Sequence, residues 1–449
     1  MRAAATWNQP SVRVPRVAAR RDAWGLYLLL TVALAPIVVP PGPGQTAIVD
    51  LFNLIAIPVF VVTLLATRRS IVVPFLVPVF LIGVASLVAT VNAESPSVAL
   101  FTMAQDTYLF VWFVVLVNLL RDHRDGTAFR TAWMWVANAV ALYGLFTVLS
   151  HGGSSIMDLA RPKGVRALAT FSNPNMFADY LVVSFFIALS LGGEVGRLVR
   201  LGSLALLFTA LVATKSNGGL MALGVGLAVW MLARAWTMRL PATALLALGL
   251  LGGSLALGSV WLVKGMGFGS SELDAFESES LLKRAGHSSE DRMKIWTNLL
   301  RTYARKPAGI GPGNSRLVEL SIEQRVRRES LLSKEAHNDY LGYLVERGPL
   351  GLLGMLAIKV EAFYWIVRWW NRRRKGGHRS GGAVAAAAIA GLVATSVHSF
   401  TVEMLHFRHA WLFLAVVCSL DGMVFRWGGR ASRAGGDADE PDLPQAAVA

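Results

Sequence analysis

Apolar residues in this chain fall in long blocks, and short segments rich in Lys and Arg separate the blocks. Most blocks approach the roughly 20 apolar residues with which an α-helix crosses a bilayer. The pattern therefore predicts an all-α polytopic membrane protein with about 12 transmembrane helices. The predicted crossings are residues 24–40, 47–66, 71–91, 98–120, 131–149, 176–192, 201–214, 218–233, 240–262, 349–370, 382–401 and 409–425.

Composition excludes an ordinary soluble protein. Charged residues are 16% of the 449 residues, against about 25% in a typical soluble domain. A net charge of +15 would suit a nucleic-acid binder, but the Lys and Arg residues lie mainly beside the apolar blocks, which is typical of membrane orientation. We expect no nucleic-acid partner. The single cysteine, Cys418, excludes a disulfide framework within one chain.

The order of charges predicts the topology. If the N-terminus is cytoplasmic, the short connections 41–46 and 92–97 lie outside and contain no Lys or Arg, as expected because basic residues resist translocation. Both termini are then cytoplasmic. The predicted divisions are a basic N-terminal segment (1–23), nine transmembrane helices (24–262), an extracytoplasmic loop (263–348), three transmembrane helices (349–425) and a disordered cytoplasmic tail (426–449).

Two outward loops carry positive charge, residues 150–175 and 263–348. In the second loop, residues 288–303 form a predicted amphipathic helix with Ser288 as its cap. Arg292 would lie in the first turn, where the helix dipole disfavours a cation. This position favours a bound anion, with a solvated surface arginine as the alternative.

A glycine-rich segment follows this helix. Gly309, Gly311 and Gly313 allow close approach of the backbone to a ligand, but taken alone the segment favours an ordinary tight turn. Residues 335–349 come next, and helical spacing places His337 in a first turn with Tyr340 and Leu341 on its face. A dipole-lowered pKa would favour the neutral imidazole that a general base requires. A histidine that only bonds at a helix cap is the alternative.

Four segments together resemble the O-antigen ligase and polymerase superfamily. In chain order they are Arg166-Ala-Leu-Ala-Thr-Phe-Ser-Asn-Pro-Asn175, Lys215-Ser-Asn-Gly-Gly219, Arg292 with Trp296 followed by Pro307 and the glycines, and His337-Asn-Asp-Tyr-Leu with Glu346-Arg-Gly348. Each segment is loose, and their order and outward location carry the resemblance. The resemblance covers about residues 160–355.

The resemblance implies a GT-C-like glycosyltransferase of the bacterial inner membrane, with its active site facing the periplasm. It would transfer a glycan from undecaprenyl diphosphate to an acceptor hydroxyl, usually on the lipid A-core. His337 would be the base, and Arg166 and Arg292 would hold the diphosphate. Asp179 is the second choice for the base. Implied substrate-binding residues are Lys215, Asn175, Arg161, Gly311, Gly313, Asn338 and Tyr340.

One departure from the family concerns the second segment. The family usually has Ser-Arg where this chain has Ser216-Asn217, and Lys215 would supply the missing cation. The outward segments contain no Asp-x-Asp pair for a metal, and arginine forks bind phosphate oxygens without one. We therefore expect a metal-independent enzyme without cofactors.

Further polar residues and competing functions remain open. Asp106 lies inside the fourth crossing, where a charge is a functional candidate or an interhelical hydrogen-bond partner. His398, His406, Arg408 and His409 surround the last outward turn and suit indirect or acceptor-binding roles. The alternatives to a ligase are a repeat-unit polymerase, a lipid-linked glycan transporter and a structural subunit of a polysaccharide complex.

Overall fold

The computed structural model is a helical bundle. It describes residues 23–38, 46–68, 70–122, 126–150, 166–238, 281–318, 337–375, 381–420 and 426–427. The helices of these parts are α1 (Ala23–Leu34), α2 (Ile48–Thr67), α3 (Leu76–Thr90), α4 (Pro96–Asp122), α5 (Gly126–Ser150), α6 (Pro174–Ser190), α7 (Arg197–Thr214), α8 (Asn217–Thr237), α9 (Leu281–Arg305), α10 (Asp339–Lys375), α11 (Gly382–His398) and α12 (Arg408–Leu420).

Each predicted crossing that falls in the described residues coincides with a helix. The ninth, 240–262, lies outside them. Six described helices are long and apolar enough to cross a membrane, namely α2, α4, α5, α7, α8 and α10. Five others are apolar and shorter, namely α1, α3, α6, α11 and α12. The helical, multi-pass character of the chain is therefore confirmed.

Two predicted helix boundaries are wrong, and proline explains both. The crossing predicted from residue 71 begins as a short strand, β1 (Ile71–Val72), and the helix starts only after Pro74. The first helix ends at Leu34, just before Pro36, instead of continuing to residue 40. The ring of a proline disfavours the helical conformation of the residue before it, so a helix stops or starts there.

The α6 helix lies at the centre of the bundle, with nearly all its side chains buried. It packs against α7 and α11, and α11 packs along α8. Glycine permits the close approach: a Cβ on Gly226 of α8 would lie 2.4 Å from Cζ of Phe186 on α6. Side chains at the centre therefore receive a fixed position from several helices.

The α2 helix lies at the periphery and exposes a broad apolar surface. Leu51, Leu54, Ile55, Val62 and Leu65 are all exposed. A soluble protein rarely leaves such a contiguous apolar face uncovered, whereas a helix facing lipid needs one. This exposure agrees with the bilayer location that the hydropathy of α2 indicates.

Polar contacts gather at one end of the bundle, which we call the polar end. It is formed by the described residues of the connections α1–α2, α3–α4, α5–α6, α7–α8, α9–α10 and α11–α12, the ones that the sequence predicts to lie outward. Backbone and side-chain bonds join them: Val38 to Thr170, Ser95 to Asn314, and Asp339 to Ser399. At the opposite end, β1 pairs with β2 (Arg426–Trp427). Connections from distant parts of the chain thus meet at the polar end.

Candidate functional site

Arg166 joins the α5–α6 connection to the end of α7. Its Nε donates to the carbonyl of Thr214 at 2.7 Å, and its Nη2 donates to Oδ1 of Asn175 at 3.0 Å. Thr214 is the last residue of α7, and Asn175 lies in the first turn of α6. The two segments that the sequence analysis singled out around Arg166 and Lys215 are therefore in direct contact.

Two helices begin beside this guanidinium. The Asn173 side chain caps α6 by accepting from the backbone N–H of Asn175 at 2.8 Å, and Pro174 supplies the first helical residue. Ser216 caps α8 by accepting from the N–H of Gly219 at 3.3 Å. A helix N-terminus carries a partial positive charge and directs N–H groups outward. Arg166, Asn175, Lys215 and these two helix starts are called the Arg166 site below.

Lys215 connects α7 to α8 in a left-handed conformation, with φ at 54°. The residue is buried, and its carbonyl lies 3.5 Å from Nη2 of Arg166. This turn brings the lysine next to the guanidinium without any long connection. The Arg166 site thus combines two cationic residues with two helix N-termini, an arrangement that favours a multiply charged anion such as a phosphate.

The predicted glycine loop packs tightly against the protein itself. Gly311 and Gly313 have φ values of 92° and 72°, which glycine adopts without strain. A Cβ on Gly311 would lie 2.7 Å from that of Ala93, and one on Gly313 would lie 2.5 Å from Oγ1 of Thr102. Intramolecular packing against the α3–α4 connection and α4 accounts for these glycines, so their role in ligand binding stays a prediction.

His337 lies outside the helix in which its spacing placed it. The α10 helix starts at Asp339, and Asn338 is its cap, accepting from the N–H of Leu341 at 3.1 Å. A side-chain amide is a favoured helix cap, which explains why the helix begins one residue after it. His337 has a left-handed φ of 49° and is partly exposed. The predicted position of His337 in the first helical turn is therefore wrong.

The neighbouring Tyr340 also has an internal partner. Its hydroxyl donates to the carbonyl of Ser396 at 2.7 Å, and its ring packs against Phe400 with centroids 4.4 Å apart. Tyr340 and Asn338 thus hold the start of α10 against the α11–α12 connection. A substrate-binding role for either residue stays a prediction.

Two further predicted residues lie where no side chain is described. Arg161 falls outside the described residues, and only the backbone of Arg292 is described. Its helix starts at Leu281, so Ser288 is not a cap and Arg292 is not in a first turn. Residues 281–287 are mostly good helix formers that extend the helix upstream. The helix-dipole argument for an anion at Arg292 is therefore wrong, and the family resemblance remains its only support.

Asp179, the second choice for the base, is enclosed by two histidines. Its Oδ1 lies 2.7 Å from Nδ1 of His398 and its Oδ2 lies 2.9 Å from Nε2 of His409. Its side chain has no exposed surface. A carboxylate in this environment orients imidazoles and holds helices together, and its role as the base stays a prediction. In the sequence, Asp179, His398 and His409 are polar residues at the outward ends of three separate predicted helices. Their spacing along the chain does not show that they meet.

The pairings within a second group of polar residues at the polar end, and the part of Asp50 and Tyr108 in it, escaped the sequence analysis. Arg408 bonds Asp50 at the start of α2, and the Tyr108 hydroxyl donates to Oδ1 of Asp50 at 2.7 Å. Arg347 bonds Asp106 and Glu346. Asp50 lies near the start of the second predicted crossing and Arg347 just before the tenth, and such positions do not separate them from ordinary charges at the ends of a crossing. Among the described residues, no group of three or more His, Cys, Asp or Glu is arranged to hold a metal ion.

Fold and site define a multi-pass helical membrane protein that gathers cationic residues and helix N-termini at one end of its bundle. Residues 202–356 match the family model for O-antigen ligase. This match supports the resemblance to the O-antigen ligase and polymerase superfamily for the three motif segments that lie within it. A comparison with curated proteins finds no match.

The matched region includes Lys215, Arg292, the glycine loop and His337, but not the segment containing Arg166 and Asn175. The bond from Arg166 to the Thr214 carbonyl connects that segment to the matched region. The family match indicates ligase- or polymerase-like activity, with a lipid-linked glycan as one partner and a polysaccharide or lipid acceptor as the other.

Proposed function

We propose that this protein transfers a glycan from undecaprenyl diphosphate to an acceptor hydroxyl at the outer face of the bacterial inner membrane. The acceptor we favour is the lipid A-core. The observation that carries the proposal is the Arg166 site, where Arg166 and Lys215 lie beside the N-termini of α6 and α8.

The leaving group explains why such a site is useful. When the bond between the glycan and its carrier breaks, negative charge develops on the diphosphate. A guanidinium can bond two phosphate oxygens at once, and helix N-termini stabilise the same charge without rearranging. Lys215, whose backbone carbonyl lies 3.5 Å from Nη2 of Arg166, would add a second positive charge. These groups favour departure of the diphosphate and stabilise the transition state more than the bound donor.

His337 is the proposed base. It would take the proton from the acceptor hydroxyl while the hydroxyl oxygen attacks the anomeric carbon, and undecaprenyl diphosphate leaves with the bonding electrons. The described geometry supports a location of His337 near the Arg166 site. Asp339, two residues after His337, is bonded by the Ser399 hydroxyl at 2.9 Å, and Thr401 of the same turn packs against Gly218. Gly218 lies three residues after Lys215.

The carrier diphosphate provides the driving force in this proposal, so no nucleotide is needed at an outward-facing site. The proposed orientation puts both termini in the cytoplasm and the polar end in the periplasm. It rests on the charge pattern together with the meeting of the described parts of the six predicted outward connections at one end of the bundle.

Reconstitution of the purified protein tests the proposal. Vesicles containing it would receive an undecaprenyl diphosphate-linked glycan and lipid A-core, and both the extended acceptor and the released carrier would be measured. Arg166→Ala should lose most of the transfer. Arg197→Ala removes an exposed arginine at the other end of α7 and is the matched control. Lengthening of the glycan on its carrier would instead identify a polymerase, and release of neither product would overturn the proposal.

A further inference from the structure

Asp106 and His406 form a partly exposed pair at the polar end that no described step of the proposed transfer uses. Oδ2 of Asp106 accepts from Nη2 of Arg347 at 2.7 Å, whereas Oδ1 lies 3.6 Å from Nδ1 of His406. The second distance exceeds the range of a hydrogen bond. Among the described residues, no hydrogen bond to Oδ1 is present. One oxygen of Asp106 is therefore open to a ligand.

Arg347 fixes the carboxylate from the buried side. Its side chain is only 1% exposed, and it also bonds Oε2 of Glu346 at 3.0 Å and Oγ of Ser86 at 3.2 Å. Its guanidinium lies 4.4 Å from the centroid of the Tyr343 ring. Asp106 and His406, by contrast, keep side-chain exposures of 22% and 32%. Arg347 thus holds Asp106 from the buried side, while Asp106 and His406 remain accessible. A few positioned polar groups at an accessible surface are typical of binding sites.

The α11–α12 connection relates this pair to the proposed catalytic residues. Thr401 at one end of the connection packs against Gly218, beside the Arg166 site. The middle of the connection contacts Asp339, because the N–H of Met404 donates to that carboxylate at 3.0 Å. His406 faces Asp106 at its other end. Along this connection, the start of α10 with His337 lies between the Arg166 site and the Asp106–His406 pair.

We propose that Asp106 and His406 bind hydroxyl groups of the acceptor sugar and so form the acceptor subsite. This inference rests on the proposed glycan transfer. A carboxylate accepts from a hydroxyl, while an imidazole can donate to or accept from one, so the pair suits the mixed donors and acceptors of a sugar. Arg347 offsets the charge of Asp106, which favours a neutral hydroxyl over a second cation.

The subsite is tested by acceptor binding in the absence of donor. Purified lipid A-core would be titrated against the protein in nanodiscs, comparing wild type with His406→Ala, His406→Gln and Asp106→Asn. Loss of a hydrogen bond to a neutral group should raise the acceptor Kd about three- to tenfold. Glutamine keeps a donor and an acceptor and should recover part of the affinity. Binding of the lipid-linked glycan donor should stay unchanged.

Two controls keep the outcome interpretable. Glu94→Gln changes an exposed carboxylate in the nearby α3–α4 connection and should leave the acceptor Kd unchanged. His406 makes no buried hydrogen bond in the described structure, so its variants should keep the melting temperature even if Asp106→Asn does not fold. An unchanged acceptor Kd in the His406 variants would overturn the subsite, as would absence of acceptor binding by the wild type. Wild-type binding without any transfer would refute the proposed function alone.

Discussion

Nδ1 of His398 donates a hydrogen bond of 2.7 Å to Oδ1 of Asp179, and neither side chain has exposed surface. The bond connects α6 to the end of α11, and His409 adds α12 from the other side of the carboxylate. Asn175, the partner of Arg166, lies four residues before Asp179 on α6. The buried carboxylate therefore fixes the helix that carries one part of the Arg166 site.

Replacing this carboxylate should destabilise the bundle. Asp179→Ala leaves two buried imidazoles without their acceptor, which we expect to lower the free energy of unfolding by about 2 to 5 kcal/mol. Thermal unfolding in detergent would measure the change. Glu94→Gln, at an exposed site, should stay within about 0.5 kcal/mol of wild type. Equal melting temperatures for Asp179→Ala and wild type would show that the histidines do not depend on Asp179.

Loss of the proposed base should affect turnover and spare donor binding. His337→Ala is expected to reduce transfer about 10²- to 10⁴-fold, since a general base acts on the acceptor proton. Steady-state transfer and a separate donor-binding titration would distinguish the two effects. His378→Ala, in a segment predicted to be cytoplasmic, provides a matched histidine control. Near-normal turnover of His337→Ala would remove His337 from the mechanism.

Arg166 and Arg292 are proposed to hold the diphosphate, and their planar geometry should matter as much as their charge. Arg166→Lys keeps a cation but cannot bond both the Thr214 carbonyl and Asn175 with a planar fork. We expect a loss of transfer of at least tenfold, and a similar loss for Arg292→Lys. The control is Arg197→Lys. Full activity of both variants would mean that these residues supply only a diffuse positive field.

The substitution in the second family segment gives a rescue experiment. If Lys215 replaces the arginine usual at the position of Asn217, Lys215→Ala should depress transfer, and Asn217→Arg in that background should restore part of it. Donor KM should rise in the single variant, because the lost charge is proposed to bind the diphosphate. Unchanged transfer by Lys215→Ala would contradict a role for this lysine. A double variant with no more transfer than Lys215→Ala would contradict the idea that Lys215 replaces an arginine at the position of Asn217.

Chelation tests the predicted metal independence. Transfer should survive exhaustive EDTA treatment, because arginine, lysine and helix N-termini are proposed to stabilise the leaving diphosphate. The assay would compare EDTA-treated vesicles with and without added magnesium or manganese. Activity abolished by EDTA and restored by either ion would refute a metal-free mechanism.

The sequence located the site segments better than it located the side chains within them. Apolar blocks long enough to cross a bilayer identified the helices, because every backbone polar group in lipid must bond within its own helix. The same local rules misjudged His337, since the cap of α10 is Asn338, and misjudged Arg292, since α9 begins at Leu281. Helix ends depend on competition between neighbouring caps, and spacing alone does not resolve it.

The sequence by itself determined the helical membrane class, the order of crossings and the grouping of basic residues on one predicted side, since length, hydropathy and charge are local properties. The family motifs also belong to the sequence. Only the tertiary structure decided that Arg166 meets Asn175 and Thr214, that Asp179 lies between two histidines, and that Asp106 faces His406. The last two of these relationships join residues more than 200 positions apart. Such contacts follow from how helices pack around shared small residues and buried polar partners, which no local pattern specifies.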